Sequence, residues 1–375
     1  MLKEAIYIKN FGPLEEVAIP EIKKVNVFIG DSGCGKSTIM KLLVLFQWLY
    51  KQMCIRSYLK KSGVVENIRE FDFKKYLRNN GILDYLHQNS EIVYTRGKYT
   101  VLYKNGKLNT RFEIEEQDLS LEKMVFISDK RNLIPDLYSS TISENSISDF
   151  FLMESLHDFK LALGTFNTLK IPAFNIILAK KKQKFGNFDL YVEGSANLDG
   201  YEVKIENSSS GMQNVIPLYT IIDYFASKYD IVEAEKNTIK SYMFSADIID
   251  QFLPTFNLSD IIQRNIHFHI EEPELSLYPD GQIDLMNSLI RLCFLNNNLN
   301  YNISMMISTH SPYIMNYLNL AIKKNDLGFE DVSAYQVKDG RIFDLKKINN
   351  KVIDTRSLSD PIERIYRDYN LQERK

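Results

Sequence analysis

Alternation and periodicity divide this chain into elements before any chemistry is considered. Apolar and polar residues alternate over Ala5-Ile6-Tyr7-Ile8 and Val17 to Ile19, and Val25 to Ile29 is a short, mostly apolar run. Breaks at Phe11-Gly12-Pro13 and Pro20 set these apart as three strands. Ser37 to Met53 predicts a largely apolar helix, and Ile55 to His87 a mostly polar one with Lys/Arg-rich turns. Between Glu91 and Glu115, Arg96-Gly97-Lys98 and Lys104-Asn105-Gly106-Lys107 punctuate three alternating runs, which predicts an antiparallel meander. Met124 to Ser128 follows as a buried strand.

From Asn145 to Gln183 the spacing of Phe150, Phe151, Leu156, Phe159, Leu161 and Leu163 predicts helix, broken at Pro172 and forming an arm or lid. Asp189 to Glu193 and Tyr201 to Glu206 read as a hairpin, and Met212 to Arg264 as two helical stretches. Ile266 to Ile270 and Ser304 to Ser308 are short apolar strands, and a hairpin around Lys338-Asp339-Gly340 precedes a polar tail. The organisation expected is an N-terminal lobe over 1–144, a helical arm over 145–183, a C-terminal lobe over 184–345 and a tail over 346–375.

Composition narrows the class without naming a function. A chain of 375 residues can bury a large core, and the usual size of roughly 100 to 200 residues per domain allows more than one unit. Lys+Arg number 46 against Asp+Glu 48, so no overall field draws the molecule to nucleic acid or an acidic membrane. Binding of that kind needs a local patch. Cys34, Cys54 and Cys293 lack metal-ligand spacing and suit a reducing compartment. The N-terminus lacks the layout of a signal peptide. The longest uncharged apolar helix, Leu42 to Tyr50, falls short of the ~20 residues that span a bilayer. A cytoplasmic protein with no membrane partner is expected.

The chemistry begins at Gly30-Asp31-Ser32-Gly33-Cys34-Gly35-Lys36-Ser37, which fits the G-x-x-x-x-G-K-[ST] phosphate loop. Glycines let successive N–H groups turn inward on the β- and γ-phosphates of a nucleoside triphosphate. Lys36 adds a positive charge, and the Ser37 hydroxyl is placed to ligate Mg²⁺. The loop lies between an expected strand and an expected helix, whose positive end faces the phosphates. Gly30 to Gly35, Lys36, Ser37 and Thr38 are thus the expected nucleotide contacts, with ATP and Mg²⁺ as ligands.

Two further strands end in reactive side chains. His267, Phe268, His269 and Ile270 lead into Glu271-Glu272-Pro273-Glu274, where Glu271 is expected to hold the Mg²⁺ shell and Glu272 to act as general base on water. Paired carboxylates at the carboxyl end of a buried strand are where open α/β sheets bind ligands. Met305 to Ser308 runs into Thr309-His310-Ser311-Pro312, making His310 a candidate γ-phosphate sensor and, with Glu272 and Lys36, part of the catalytic set. His267 and His269 share a strand face without a third ligand at suitable spacing and read as packed residues rather than a metal pair.

With these motifs in place the sequence resembles the ABC-type ATPases, in the branch of the SMC, RecF and OLD-family proteins. Ser209-Ser210-Gly211-Met212-Gln213 is similar to that family's signature motif, Glu271 to Pro279 to its Walker B segment and D-loop, and Thr309 to Pro312 to its switch histidine. The resemblance implies an α/β, ABC-type P-loop NTPase with a central, mostly parallel sheet, an antiparallel β subdomain and a helical insertion. It further implies that Ser209, Ser210 and Gly211 contact ATP bound to a second copy, so that ATP joins a homodimer. Glu271 stands where Asp is usual and Tyr278 where His is common, and no glutamine is assigned to the Q-loop.

A finer resemblance, to ATPase subunits of anti-phage defence systems such as PARIS, Septu and the OLD proteins, rests on Ser128-Asp129-Lys130-Arg131-Asn132 and on Tyr313 to Leu318. It implies a slow ATPase switch that controls a separate effector nuclease encoded nearby. The alternative is a RecF- or SMC-like ATPase that clamps DNA, for which Lys180-Lys181-Lys182-Gln183-Lys184, Lys60-Lys61 and Lys74-Lys75 with Arg78 are the basic clusters. A nuclease within the chain is disfavoured: beyond His310 only about 65 residues remain, fewer than a typical added domain.

Overall fold

The computed structural model describes residues 2–64, 71–110, 112–182, 188–194, 200–246, 252, 254, 256–358 and 360–372. A hairpin of β1 (Glu4–Phe11) and β2 (Leu14–Ile19) leads to β3 (Val25–Ile29) and the long helix α1 (Lys36–Lys61). After α2 (Phe73–Asn79) come β4 (Leu86–Arg96), β5 (Tyr99–Lys104), β6 (Lys107–Asn109) and β7 (Ser120–Ile127). Helices α3 (Ile134–Tyr138) and α4 (Phe150–Leu163) precede β8 (Thr168–Ile171), β9 (Ile176–Lys182), β10 (Phe188–Gly194) and β11 (Tyr201–Lys204). Then follow α5 (Ser210–Ser227), α6 (Ile231–Ala246), β12 (Gln263–Glu271), α7 (Pro279–Ile290), β13 (Asn302–Thr309) and α8 (Pro312–Lys324). The chain ends with β14 (Val332–Lys338), β15 (Arg341–Asp344), the short pair β16 (Lys346–Lys347) and β17 (Val352–Ile353), and α9 (Asp360–Gln372).

This is an α/β fold built on one eleven-stranded sheet in the order β6-β5-β4-β1-β2-β15-β14-β3-β13-β12-β7. The five strands from β14 to β7 are mutually parallel. Each is covered on both faces, which explains why β3 reads as an unbroken buried run instead of alternating. The other half is antiparallel apart from a single β15–β2 pairing, so the sheet as a whole is mixed. The expected meander is present, but it is no free-standing subdomain. Its strand β4 pairs with β1 from Glu4↔Arg96 to Lys9↔Glu91, which extends the same sheet.

The expected helical arm over 145–183 is corrected. Among the described residues of this span only Phe150–Leu163 is α-helical; Thr168–Ile171 and Ile176–Lys182 are strands of a separate four-stranded antiparallel sheet, β11-β10-β9-β8. Period-two burial at Leu169, Ile171, Ile176 and Leu178 outweighs the helical spacing once this sheet has partners. The apolar stripe of α4 is also occupied, since Phe151 stacks on Phe126 of β7 and Ser155 donates to the Phe126 carbonyl at 2.9 Å. It is a packed helix. Two boundaries also move: α1 runs on to Lys61 and β4 begins at Leu86, both within the span expected as polar helix, and the expected polar tail contains α9.

Beneath α1 the parallel strands bury a polar cluster. Glu122 of β7 pairs with Arg96 of β4 at 2.9 Å and with His267 Nε2 at 2.8 Å, all three being 1% exposed or less. Asn265 Nδ2 donates to the same carboxylate at 2.8 Å, and His267 Nδ1 lies 2.7 Å from Ser304 Oγ. His269 Nε2 lies 2.8 Å from Gln47 Oε1, and Gln47 donates to Glu4 at 2.6 Å. Burial, with His267 nearby, holds His269 well below the ordinary histidine range, so it is neutral. These histidines tie α1 to the sheet, and among the described residues no group of three or more His, Cys, Asp or Glu could hold a metal ion by itself.

Candidate functional site

Strand register explains why the distant motifs meet. Ile29 of β3 pairs with Thr309 of β13, Ser308 pairs with Glu271 of β12, and Ile270 pairs with Ile127 of β7. Because the strands are parallel and in step, Gly30, His310, Glu272 and Ser128 leave the sheet at one carboxyl edge. Four segments far apart in sequence thus surround one crevice.

The phosphate loop occupies the β3–α1 turn. Gly33 and Gly35 have φ of +78° and +106°, left-handed values that disfavour a side chain. A Cβ on Gly30 would stand 2.3 Å from the Val337 carbonyl oxygen, so close passage beside β14 also requires glycine. Lys36 is 5% exposed, and its ammonium donates to the Gly30 and Asp31 carbonyls at 2.8 and 2.9 Å, curling the loop around it. Asp31, Ser32 and Gly33 form the exposed tip, Cys34 is half-buried, Ser37 is exposed and Thr38 is buried. Open space around Gly33 and the N-terminal N–H groups of α1 suit this cradle to a polyphosphate.

The Ser37 side chain faces the Glu271 carboxylate. Burial raises the Glu271 pKa above the ordinary range, the Ser37 hydroxyl opposes this, and Asp129 adds to it. The Asp129 N–H also approaches Glu271 Oε2 at 3.4 Å. A divalent cation would offset the cost of burying this carboxylate. One hydroxyl and one carboxylate would suit Mg²⁺, a hard cation that takes oxygen ligands.

Glu272 sits one residue on, at φ +43°, a left-handed conformation that ends the strand. Its N–H donates to the Ser308 carbonyl at 2.9 Å, and its carboxylate lies 3.3 Å from His310 Nε2. Both side chains are about one-third exposed, at 31% and 34%, leaving them open to a water molecule. Glu274 supports this pair from behind. Its Oε1 accepts from the His310 N–H at 2.6 Å and from Thr309 Oγ1 at 2.7 Å, fixing the histidine turn.

The signature segment opens α5. Ser209 caps α5 by accepting from Met212 N–H at 3.4 Å, while Ser209 and Ser210 are exposed. A Cβ on Gly211 would stand 3.0 Å from the Ser276 carbonyl, so the start of α5 lies against the turn after Glu274. Among the described residues, no hydrogen bond or ion pair joins Ser209, Ser210 or Gly211 to the phosphate loop, Glu272 or His310.

Sequence reasoning quoted Arg131 and Glu274 without giving either a role. Arg131 is wholly buried and binds the carbonyls of both Glu271 and Glu272 at 2.7 Å. The sole signal available was an arginine just past a central strand. Two lysines of the basic clusters are ion-paired, Lys181 with Glu193 and Glu202 and Lys60 with Glu113, while Lys180 donates to the neutral Leu163 carbonyl. Gln183 and Lys184 lie outside the described residues.

The family profile described as AAA ATPase domain matches residues 1–161 and 49–315. Among solved structures the chain is similar to the SMC head domain from Thermotoga maritima, with 12% identity, TM-score 0.34 and coverage of 92% of this chain and 99% of that one. It is similar to the Smc head domain with an extended coiled coil bound to the C-terminal domain of ScpA, derived from Pyrococcus furiosus, at 10% identity, TM-score 0.38 and coverage of 92% and 96%. A nucleotide-free ATP-binding cassette from an ABC transporter is similar at 13% identity, TM-score 0.33 and coverage of 92% and 90%. No curated protein matches the sequence.

Proposed function

Because the chain belongs to the AAA ATPase domain family and is an ATPase, we propose that it works as an ATP-sandwiched homodimeric switch that controls a separate effector. The observation that carries this reading is the split between a crevice gathering Lys36, Ser37, Glu271, Glu272 and His310, and a signature segment exposed elsewhere on the same chain. An exposed helix N-terminus bearing serine and glycine is complementary to phosphate, and a second copy can present it to ATP held in the first.

Within each site Gly30 to Thr38 bind and orient the triphosphate. Ser37 and Glu271 would hold Mg²⁺, which supplies charge neutralisation on the phosphates. Glu272 accepts a proton from the attacking water, and His310 orients the Glu272 carboxylate and donates toward the γ-phosphate. Hydrolysis then removes the group that joins the two copies.

The finer reading is a slow anti-phage defence subunit working with an effector nuclease encoded nearby. It is supported by the motif resemblance at Ser128 to Asn132. The free cysteines Cys34, Cys54 and Cys293 favour the cytoplasm. No helix among the described residues is long and apolar enough to cross a membrane. A DNA-clamping ATPase of RecF or SMC kind is compatible with the family. The ion pairs of Lys60 and Lys181 weigh against it, and salt-dependent binding of duplex DNA would favour it.

Mixing subunits tests the dimer. Ser210→Arg blocks the presented surface, and Lys36→Ala the phosphate loop; each alone should hydrolyse ATP poorly. Their mixture forms heterodimers with one complete composite site, so phosphate release should recover to at most about half per dimer, on the one-site-in-two geometry. No recovery in mixtures shown to contain heterodimers would refute the trans arrangement.

A further inference from the structure

Arg131 makes contacts that a structural filler would not need. Its guanidinium offers five N–H donors in a rigid plane. Nη1 donates to the Ser128 carbonyl at 3.2 Å and the Glu271 carbonyl at 2.7 Å, Nη2 to the Glu272 carbonyl at 2.7 Å, and Nε to the Asn214 carbonyl at 3.2 Å. These acceptors belong to the end of β7, the end of β12 and α5. Among the described residues no carboxylate forms an ion pair with Arg131, so its charge is stabilised by oriented peptide dipoles. Burial pulls its pKa down to about 10, with Glu274 as the largest opposing charge. A buried cation is costly to keep, and apolar groups fill such a space at less cost.

The contacts form a continuous path. On α5, Asn214 Nδ2 donates to the Ser210 carbonyl at 2.9 Å and to Ser276 Oγ at 3.4 Å. The Asn214 carbonyl then accepts from Arg131, whose other arm fixes the Glu272 carbonyl. Glu272 needs such fixing, since a non-glycine residue at φ +43° is strained. Its N–H is held by Ser308 and its carbonyl by Arg131, leaving only the side chain to turn toward His310.

Resting on the reading of Glu272 as general base, we infer that Arg131 is a positioning residue that ties the backbone of Glu272 to the signature helix. Displacement of Ser210 by a docking second copy then acts on the base of the same subunit through Asn214 and Arg131. A lysine cannot replace it, because one ammonium with three donors cannot span carbonyls on three segments.

The test compares Arg131→Lys and Asn214→Ala with Glu272→Gln in the full-length protein. Arg131→Lys should leave the ATP dissociation constant within about threefold and lower kcat by about tenfold or more, the loss expected when a catalytic group is misplaced by about 1 Å. Asn214→Ala removes the bonds to Ser210 and Ser276 while keeping the carbonyl that Arg131 uses, and should lower kcat in the same selective way. Adding Arg131→Lys to Glu272→Gln should cost no further activity, because both act through one group. A folded Arg131→Lys with wild-type kcat would overturn the inference; if that variant does not fold, wild-type kcat in Asn214→Ala overturns it. Failure of the base reading is distinct: Glu272→Gln itself would then turn over normally.

Discussion

Replacing Glu272 by glutamine changes one proton acceptor and almost nothing else in the crevice. The contacts that hold residue 272 run through its main chain, to the Ser308 carbonyl at 2.9 Å and to Arg131 at 2.7 Å, and an amide side chain leaves both intact. A glutamine oxygen can still face His310 Nε2, now 3.3 Å from the carboxylate. Exchanging a charged for a neutral acceptor there is worth about 1 kcal/mol or less, so ATP affinity should change by about fivefold at most. Losing the base should lower kcat by about 10² to 10⁴, or about 3 to 5 kcal/mol on the barrier at 1.36 kcal/mol per tenfold. Phosphate release gives kcat, and equilibrium binding of a fluorescent ATP analogue gives affinity. Size-exclusion chromatography with ATP and Mg²⁺ should show Glu272→Gln as a persistent dimer and Lys36→Ala as a monomer. Wild-type turnover by Glu272→Gln would refute the assignment whatever the dimer does.

Two further outcomes follow from packing and charge. Gly30→Ala places a Cβ 2.3 Å from the Val337 carbonyl, a backbone atom of a paired strand that cannot give way; thermal unfolding should register a loss of about 1 to 3 kcal/mol, with weakened ATP binding, and unchanged stability would show that the turn relaxes freely. Burial opposes ionisation of Glu122, but Arg96 and then His267 outweigh it and hold its pKa down to about 2. Since that value lies below the unfolded one, its stabilising contribution is complete above about pH 4.5 and is lost as pH falls toward about 2. Glu122→Gln strands Arg96 in the core, and urea unfolding at pH 7 should show a loss of about 3 to 5 kcal/mol; the variant should also lack that acid-dependent part of the stability curve.

The candidate site was legible in the sequence because motifs for phosphate binding and base catalysis depend on residue types at short, fixed spacings. Gly30 to Ser37 is one turn of chain, Glu271 and Glu272 are adjacent, and His310 follows an apolar strand. Strand and helix types near these motifs were equally local, as β3, α1, β12 and β13 illustrate. Long-range pairing was not encoded at that scale. Arg131 reaches Asn214 across 83 positions and Glu271 across 140, while His267 meets Glu122 across 145. No periodicity reports which distant carbonyl will face a buried guanidinium. The same limit explains the segment 145–183, where helical spacing and strand alternation both occur and the partners β10 and β11 decided for a sheet over Thr168–Lys182. The sequence by itself determined the fold class and which residue types stand in the phosphate-loop, paired-carboxylate and histidine motifs. Only the tertiary structure decided how parallel strands in register bring those groups to one edge, and how Arg131 spans the carbonyls of Glu271 and Glu272.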